Sequence, residues 1–465
     1  MNFISTRGAS PPVGFIDALL AGLAPDGGLY CPETWPRLTP DEIAGLAGRP
    51  YAEVAARILG LFAGDEIPVE VLADLCAKAY ASFDHPAVTP LVQLGPDRFL
   101  LELFHGPTLA FKDVAMQILA RLYAYVLAAR GRTMTIVCAT SGDTGGAAVE
   151  AFRGLDQVRI VAMFPHGRIS EVQRRFMTTA AEDNVRTLAV DGDFDDCQAI
   201  LKSLFEDDAF ARSVDLSAVN SINFARIIAQ SVYYFTAAVA LGAPGRPARF
   251  AVPTGNFGDA FAGYAARLMG LPIERILVAV NTNDIMARAL TTGDYRRGAA
   301  TATQSPAMDI QVASNFERLL FECSGRDAVL VAEAFRAFAA HGAMTVPPAA
   351  LAAMGEVFDA VAVDETLTGR TIAETLARTG ELVDPHTAVA VAGADHARVT
   401  TSGAPLIVVS TAHPAKFPEA VTAAAGVSPP PPAAVLARAG AAERIDRLPA
   451  DVEAVKRYVR DFVGA

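Results

Sequence analysis

The chain has 465 residues, 52% of them hydrophobic, and carries a formal net charge of −12. That length can bury large cores and predicts two or three domains, while the acidic balance argues against nucleic acid or an anionic membrane as partner. The five cysteines (31, 76, 138, 197, 323) show no paired metal-ligand spacing, so no metal site is expected, and their odd number in a long chain predicts reduced thiols and a cytoplasmic location.

In chain order, Met1 to Pro12 has no apolar signal core, and residues 1 to about 85 read as helix-rich with Pro and Gly turns. A strand over Phe99 to Phe104 leads into Phe104-His105-Gly106-Pro107-Thr108-Leu109-Ala110-Phe111-Lys112-Asp113. Only five of the 39 basic residues are lysines, so a lysine in this apolar turn is conspicuous. Apolar surroundings disfavour the ammonium form, and a neutral amine can form an imine with a carbonyl cofactor. A stem packed on apolar surface with its head in water is the competing reading of Lys112. Asp113 is placed to cap a helix running to Arg130.

Two glycine-rich turns follow, each between an apolar run and a helical pattern: Thr140-Ser141-Gly142-Asp143-Thr144-Gly145-Gly146, and Pro253-Thr254-Gly255-Asn256-Phe257-Gly258-Asp259. A strand that ends in glycines and opens a helix leaves backbone N–H groups at a positive dipole end, suited to phosphate or carboxylate. Neither turn has the spacing of a Walker loop or a dinucleotide fingerprint. Each is also compatible with an ordinary strand–helix connection. At Gly255 and Gly258 the expected role is room for a ligand and positive φ. Between and after the turns, strands at Val158 to Phe164, Val185 to Val190, Phe250 to Pro253 and Arg275 to Val280 alternate with helices, predicting parallel α/β sheets. Ile227 to Gly245 is uncharged and long enough to raise a membrane question, but Gln230, Ser231, Tyr233, Tyr234 and Thr236 make it a buried core helix. Near the end, Ala404 to Ser410 reads as a buried strand closing on the hydroxyls of Ser410 and Thr411, either facing a ligand or capping the strand end. Lys416, just beyond, is the rival to Lys112. Residues 427 to 434 form a proline-stiffened connection before a short helical tail.

These motifs resemble threonine synthase, in the β-family of pyridoxal-phosphate enzymes. The match is carried by Phe3-Ile4-Ser5-Thr6-Arg7-Gly8, Gly22 to Tyr30, Ala110-Phe111-Lys112-Asp113, the two glycine turns, Asn220-Ser221-Ile222-Asn223-Phe224-Ala225-Arg226-Ile227 and Ser410-Thr411-Ala412-His413. Their order and spacing agree from residue 3 to about 417. The resemblance implies two open parallel-sheet α/β domains of the tryptophan-synthase β-like fold with a mainly helical N-terminal extension. The expected divisions are 1–85 for the lead-in, 86–225 for a smaller domain with the lysine and first turn, and 226–465 for a large domain with the second turn.

It also implies that Lys112 holds pyridoxal 5'-phosphate as an imine and later moves protons between substrate carbons. Gly255, Asn256, Phe257, Gly258 and Asp259 would cradle the cofactor phosphate, and Thr411 would face the pyridine nitrogen. Ser141, Asp143 and Thr144 would lie against the substrate carboxylate or the cofactor hydroxyl, with Asp143 turned away from the anion. Arg226, Arg168 and Lys416 are the candidate cations for a substrate phosphate. The implied reaction turns O-phospho-L-homoserine and water into L-threonine and phosphate by γ-elimination and β-addition, in a monomer or homodimer. A phospho-lyase releasing 2-oxobutyrate and a cofactor-free binding homologue are the alternatives.

Overall fold

The computed structural model describes residues 1–217, 219–396 and 403–464. They form two compact units, one built from Met1–His105 with Ser221–Pro429, the other from Gly106–Asn220 with Pro430–Ala465.

The larger unit is organised by a six-stranded sheet. From edge to edge its strands are Phe358–Ala362, Ile273–Val280, Ala248–Pro253, Leu406–Ser410, Arg98–Glu102 and Leu91–Gly95. The first five run parallel and the last is antiparallel to its neighbour. Leu406–Ser410 and Ala248–Pro253 are buried at every position, as strands covered on both faces must be. Ala251, Leu277, Ala279 and Val408 share a core cluster with residues 388–392 of the helix Pro385–His396. Alternate residues meet other helices: the Phe250 ring lies 4.7 Å from Tyr234. A Cβ on Gly263 would sit 2.7 Å from Tyr234 and 3.3 Å from Ile276, so glycine there lets helices Phe224–Ala240 and Gly258–Leu268 close on the sheet.

Helix Phe224–Ala240 is almost wholly buried inside this unit, and among the described residues no helix is long and apolar enough to cross a membrane. Its first turn is held by the N-terminal region. The Phe224 ring packs 5.1 Å from Phe3, 5.7 Å from Phe62 and 6.0 Å from Trp35, while the Asn223 amide donates to the Leu19 carbonyl at 2.8 Å. Residues 1–85, expected as a lead-in domain, therefore belong to the same unit as the Arg226 helix. The strand Arg98–Glu102, expected in the smaller domain, pairs with Leu406–Ser410.

The smaller unit carries five parallel strands in the order Asp446–Pro449, Val185–Asp191, Val158–Pro165, Met134–Ala139 and Leu216–Ser217. The C-terminal tail, expected with the large domain, adds a strand to this sheet, and helix Val452–Val463 buries Val455 and Val459 against Val161, Leu188 and Phe210. Its apolar face needed a partner, and the sheet edge at Val185–Asp191 offered unpaired backbone groups. All five cysteines are free thiols.

Candidate active site

In the smaller unit, Lys112 opens the helix Lys112–Ala129. The turn before it is tight: Leu109 sits at φ 61°, a left-handed conformation that a leucine adopts under strain. Asp113 holds that turn together. Its carboxylate accepts the Thr108 N–H at 2.8 Å and the Thr108 hydroxyl at 2.6 Å, and it is fully buried. Asp113 thus lies inside the first helical turn and clamps the loop behind it, whereas the sequence suggested a cap; the N-cap position is Phe111, without a side-chain cap. Gly106 is required because a Cβ there would come within 2.4 Å of Asp113. The Lys112 side chain is 11% exposed, with Nζ 4.7 Å from the Phe111 ring centroid and 3.6 Å from Asp143 Oδ2.

Asp143 begins the helix Asp143–Phe152. The Thr140 hydroxyl oxygen accepts the N–H groups of Gly142 and Gly145, both at 2.9 Å, which winds the first glycine turn tightly. Ser141 is exposed and Thr144 half-buried. Among the expected residues of this unit the structure brings Asp143 to Lys112. Arg168 is exposed on the loop after Val158–Pro165.

The second glycine turn, in the larger unit, opens the helix Gly258–Leu268. The left-handed residue here is Phe257, at φ 62°, so the positive φ expected of Gly255 and Gly258 falls between them. Phe257 tolerates it because its ring is 1% exposed and locked 5.5 Å from Phe358. Gly255 is glycine for space: a Cβ would meet the Ala307 carbonyl oxygen at 2.6 Å. The Asn256 carbonyl accepts from the Asn315 backbone N–H at 3.1 Å and its amide at 3.2 Å. Among the described residues, the N–H groups of Gly255, Asn256 and Phe257 meet no acceptor. The Asp259 side chain turns inward, where Tyr233 and Tyr234 both donate to Oδ1. Burial, then the Asp259 charge, raises both tyrosines well above the usual phenol range, so they stay donors.

Arg226, in the first turn of Phe224–Ala240, is 4% exposed, and its Nε and Nη1 have no hydrogen-bond partner. Burial lowers its pKa to about 10, which leaves the guanidinium charged at neutral pH. A buried cation with open donors calls for an anion.

The strand end is set by a network that joins residues distant in the chain. Asp384, fully buried, accepts the backbone N–H groups of His386 and Thr387, each at 3.0 Å, and the Thr387 hydroxyl. His386 Nε2 accepts the Ala307 N–H at 3.2 Å, so its proton is on Nδ1, which donates to Asp384 at 2.6 Å. Ala307 is the residue that backs onto Gly255. Since Thr387 gives its hydrogen to Asp384, the 3.0 Å contact with Ser410 has Ser410 as donor. The Ser410 hydroxyl is thereby turned into the core, leaving Thr411, which makes no side-chain hydrogen bond among the described residues. Lys416 is 1% exposed in the single turn Pro414–Lys416. Asn315, Asp384, His386 and Gln173 escaped the sequence reading; the helix-start patterns Ser170-x-x-Gln173 and Asp384-Pro385 were there to be seen.

The comparisons with known proteins follow the chain from end to end. Residues 2–80 match a model of the threonine synthase N terminus, 83–357 the pyridoxal-phosphate-dependent enzyme family, and 387–459 the threonine synthase C-terminal region. Threonine synthase of Pseudomonas aeruginosa is 49% identical, over 99% of this chain and 98% of its own. The chain belongs to the threonine synthase family of pyridoxal-phosphate-dependent enzymes. Among solved structures, the threonine synthase of Brucella melitensis, determined with pyridoxal phosphate bound, is 50% identical with TM-score 0.97 over 100% of both chains. The yeast threonine synthase is 37% identical with TM-score 0.94, over 100% of this chain and 99% of its own. Taken unit by unit, the residues of this member fit the family's cofactor: the smaller carries an amine in a constrained turn, and the larger, among the described residues, three amide hydrogens without acceptors at a helix start.

Asp384→Asn replaces an acceptor of four hydrogen bonds by an amide that must oppose one donor with another; unfolding should become easier by about 2–4 kcal/mol, read by denaturant titration. In Gly255→Val the clash with Ala307 displaces the turn, and cofactor affinity should fall at least about tenfold when cofactor-free protein is titrated with pyridoxal phosphate.

Proposed function

We propose that the chain converts O-phospho-L-homoserine and water to L-threonine and phosphate in the cytoplasm, with pyridoxal 5'-phosphate held covalently by Lys112. The observation that carries the reading is the Arg226 guanidinium, a buried cation with two N–H donors open to an anion such as a phosphate. Five free thiols are in keeping with a reducing compartment.

The roles divide by chemistry. Bound pyridoxal phosphate supplies an electron sink for the substrate α-carbon. The amide hydrogens of Gly255 to Asp259 would hold its phosphate at the helix start, and the Thr411 hydroxyl its ring nitrogen. Lys112 Nζ would move protons between neighbouring substrate carbons, a task that suits a flexible amine. Ser141, Thr144 and their backbone would take the substrate carboxylate, and Arg226 the substrate phosphate through charge-assisted N–H donors.

Purified enzyme given O-phospho-L-homoserine should release threonine and phosphate in equal amounts; release of 2-oxobutyrate in place of threonine would make it a phospho-lyase. Arg226→Met should raise KM for this substrate by roughly 10- to 100-fold, the equivalent of about 1.5–3 kcal/mol for hydrogen bonds to a charged group. Because the variant no longer buries an unsatisfied charge, its melting temperature without ligand should hold or rise. An unchanged KM would remove Arg226 from the substrate site.

A further inference from the structure

Three helices of the smaller unit begin with residues that touch one another in series. Lys112 starts Lys112–Ala129, Asp143 starts Asp143–Phe152, and Gln173 stands in the first turn of Glu171–Thr178. Ser170 caps that last helix: its hydroxyl oxygen accepts the Gln173 N–H at 3.2 Å, so its own hydrogen is available to Gln173 Oε1, also at 3.2 Å. The amide is thereby oriented, with Nε2 toward Asp143 and donating to Oδ1 at 3.0 Å. The other oxygen of Asp143 is the one 3.6 Å from Lys112 Nζ. Gln173 is 5% exposed and Asp143 6%, so neither is loosely placed.

Gly142 shows that the approach of Gln173 shapes the glycine turn. It sits at φ 134°, and a Cβ there would lie 2.5 Å from the Gln173 amide carbon. The room that a side chain at 142 would fill is taken by the amide that holds Asp143. Of the other charged groups on these helices, Asp113, on the lysine's own helix, accepts from Thr108 with both oxygens, and Glu171, on the third helix, pairs with Arg175 at 2.9 Å.

We propose that Gln173 is a positioning residue for Lys112 acting through Asp143, which is the lysine's counter-ion and not a substrate contact. Gln173 fixes one carboxylate oxygen and so aims the other at the lysine nitrogen. Asp143 then favours a proton on that nitrogen, both in the free amine and when the nitrogen is joined to the cofactor's carbon. A protonated nitrogen draws electrons from that carbon and prepares it for exchange with the substrate amine. The inference rests on Lys112 being the cofactor lysine.

The test uses holoenzyme reconstituted with pyridoxal phosphate and follows its absorption as pH is raised, taking the midpoint at which the band of the protonated nitrogen gives way to that of the neutral one. Gln173→Met keeps the bulk of the side chain without its donor, and Asp143→Asn keeps the shape without the charge. Both should lower the midpoint by one pH unit or more, Asp143→Asn the further of the two. Loss of packing alone would not move it. A midpoint that stays put in both variants overturns the proposal; one that moves only in Asp143→Asn removes Gln173 from it. Hydride trapping of the wild-type holoenzyme separates the two levels. Cofactor trapped on Lys112 with unmoved midpoints leaves the functional reading standing, whereas cofactor trapped on another lysine defeats both.

Discussion

A charge removed from water must be met by an opposite charge or by hydrogen bonds, and this requirement organises the catalytic half of the sequence. Asp113 is met by Thr108, Asp259 by two tyrosines, Asp384 by His386 and Thr387, and Lys112 by Asp143. Arg226 departs from the pattern, with Nε and Nη1 open in a fully buried guanidinium. On the proposed function a bound anion would offset its desolvation, so the residue that weakens the unliganded fold would support binding. Strain at Leu109 and Phe257, one beside the lysine and one inside the second glycine turn, fits the same trade of local stability for function.

Those two left-handed residues also show how backbone and packing share the work. Each is apolar and each is buried, at 2% for Leu109 and 1% for Phe257, so burial of the side chain compensates the unfavourable backbone. Glycines in the turns serve approach more than conformation. Gly255 admits the Ala307 carbonyl, Gly106 admits Asp113 and Gly142 admits Gln173. Of these three, Gly142 alone also needs a φ that other residues rarely adopt.

Much of this was legible in the sequence where the signal is local. Unbroken apolar runs such as Leu406 to Ser410 gave buried strands, and the glycine turns fell at helix starts. What stayed hidden depends on partners distant in the chain. Nothing near Arg98 says that its strand pairs with Leu406–Ser410, and the tail beyond residue 430 gives no sign that Asp446–Pro449 adds to the strand Val185–Asp191. The Asp384 network was invisible for the same reason: Asp384-x-His386-Thr387 acquires meaning only when Ala307 and Ser410 are brought to it. Asp113 was misread because a carboxylate one residue inside a helix can serve the loop behind as easily as the helix ahead.

The central claim is that Lys112 nitrogen bears the cofactor. Reduction of the holoenzyme with hydride, followed by digestion and mass spectrometry of the peptides, tests it most directly. The account predicts a stable pyridoxyl adduct on the peptide containing Lys112; an adduct on the peptide containing Lys416, or on none, would contradict it.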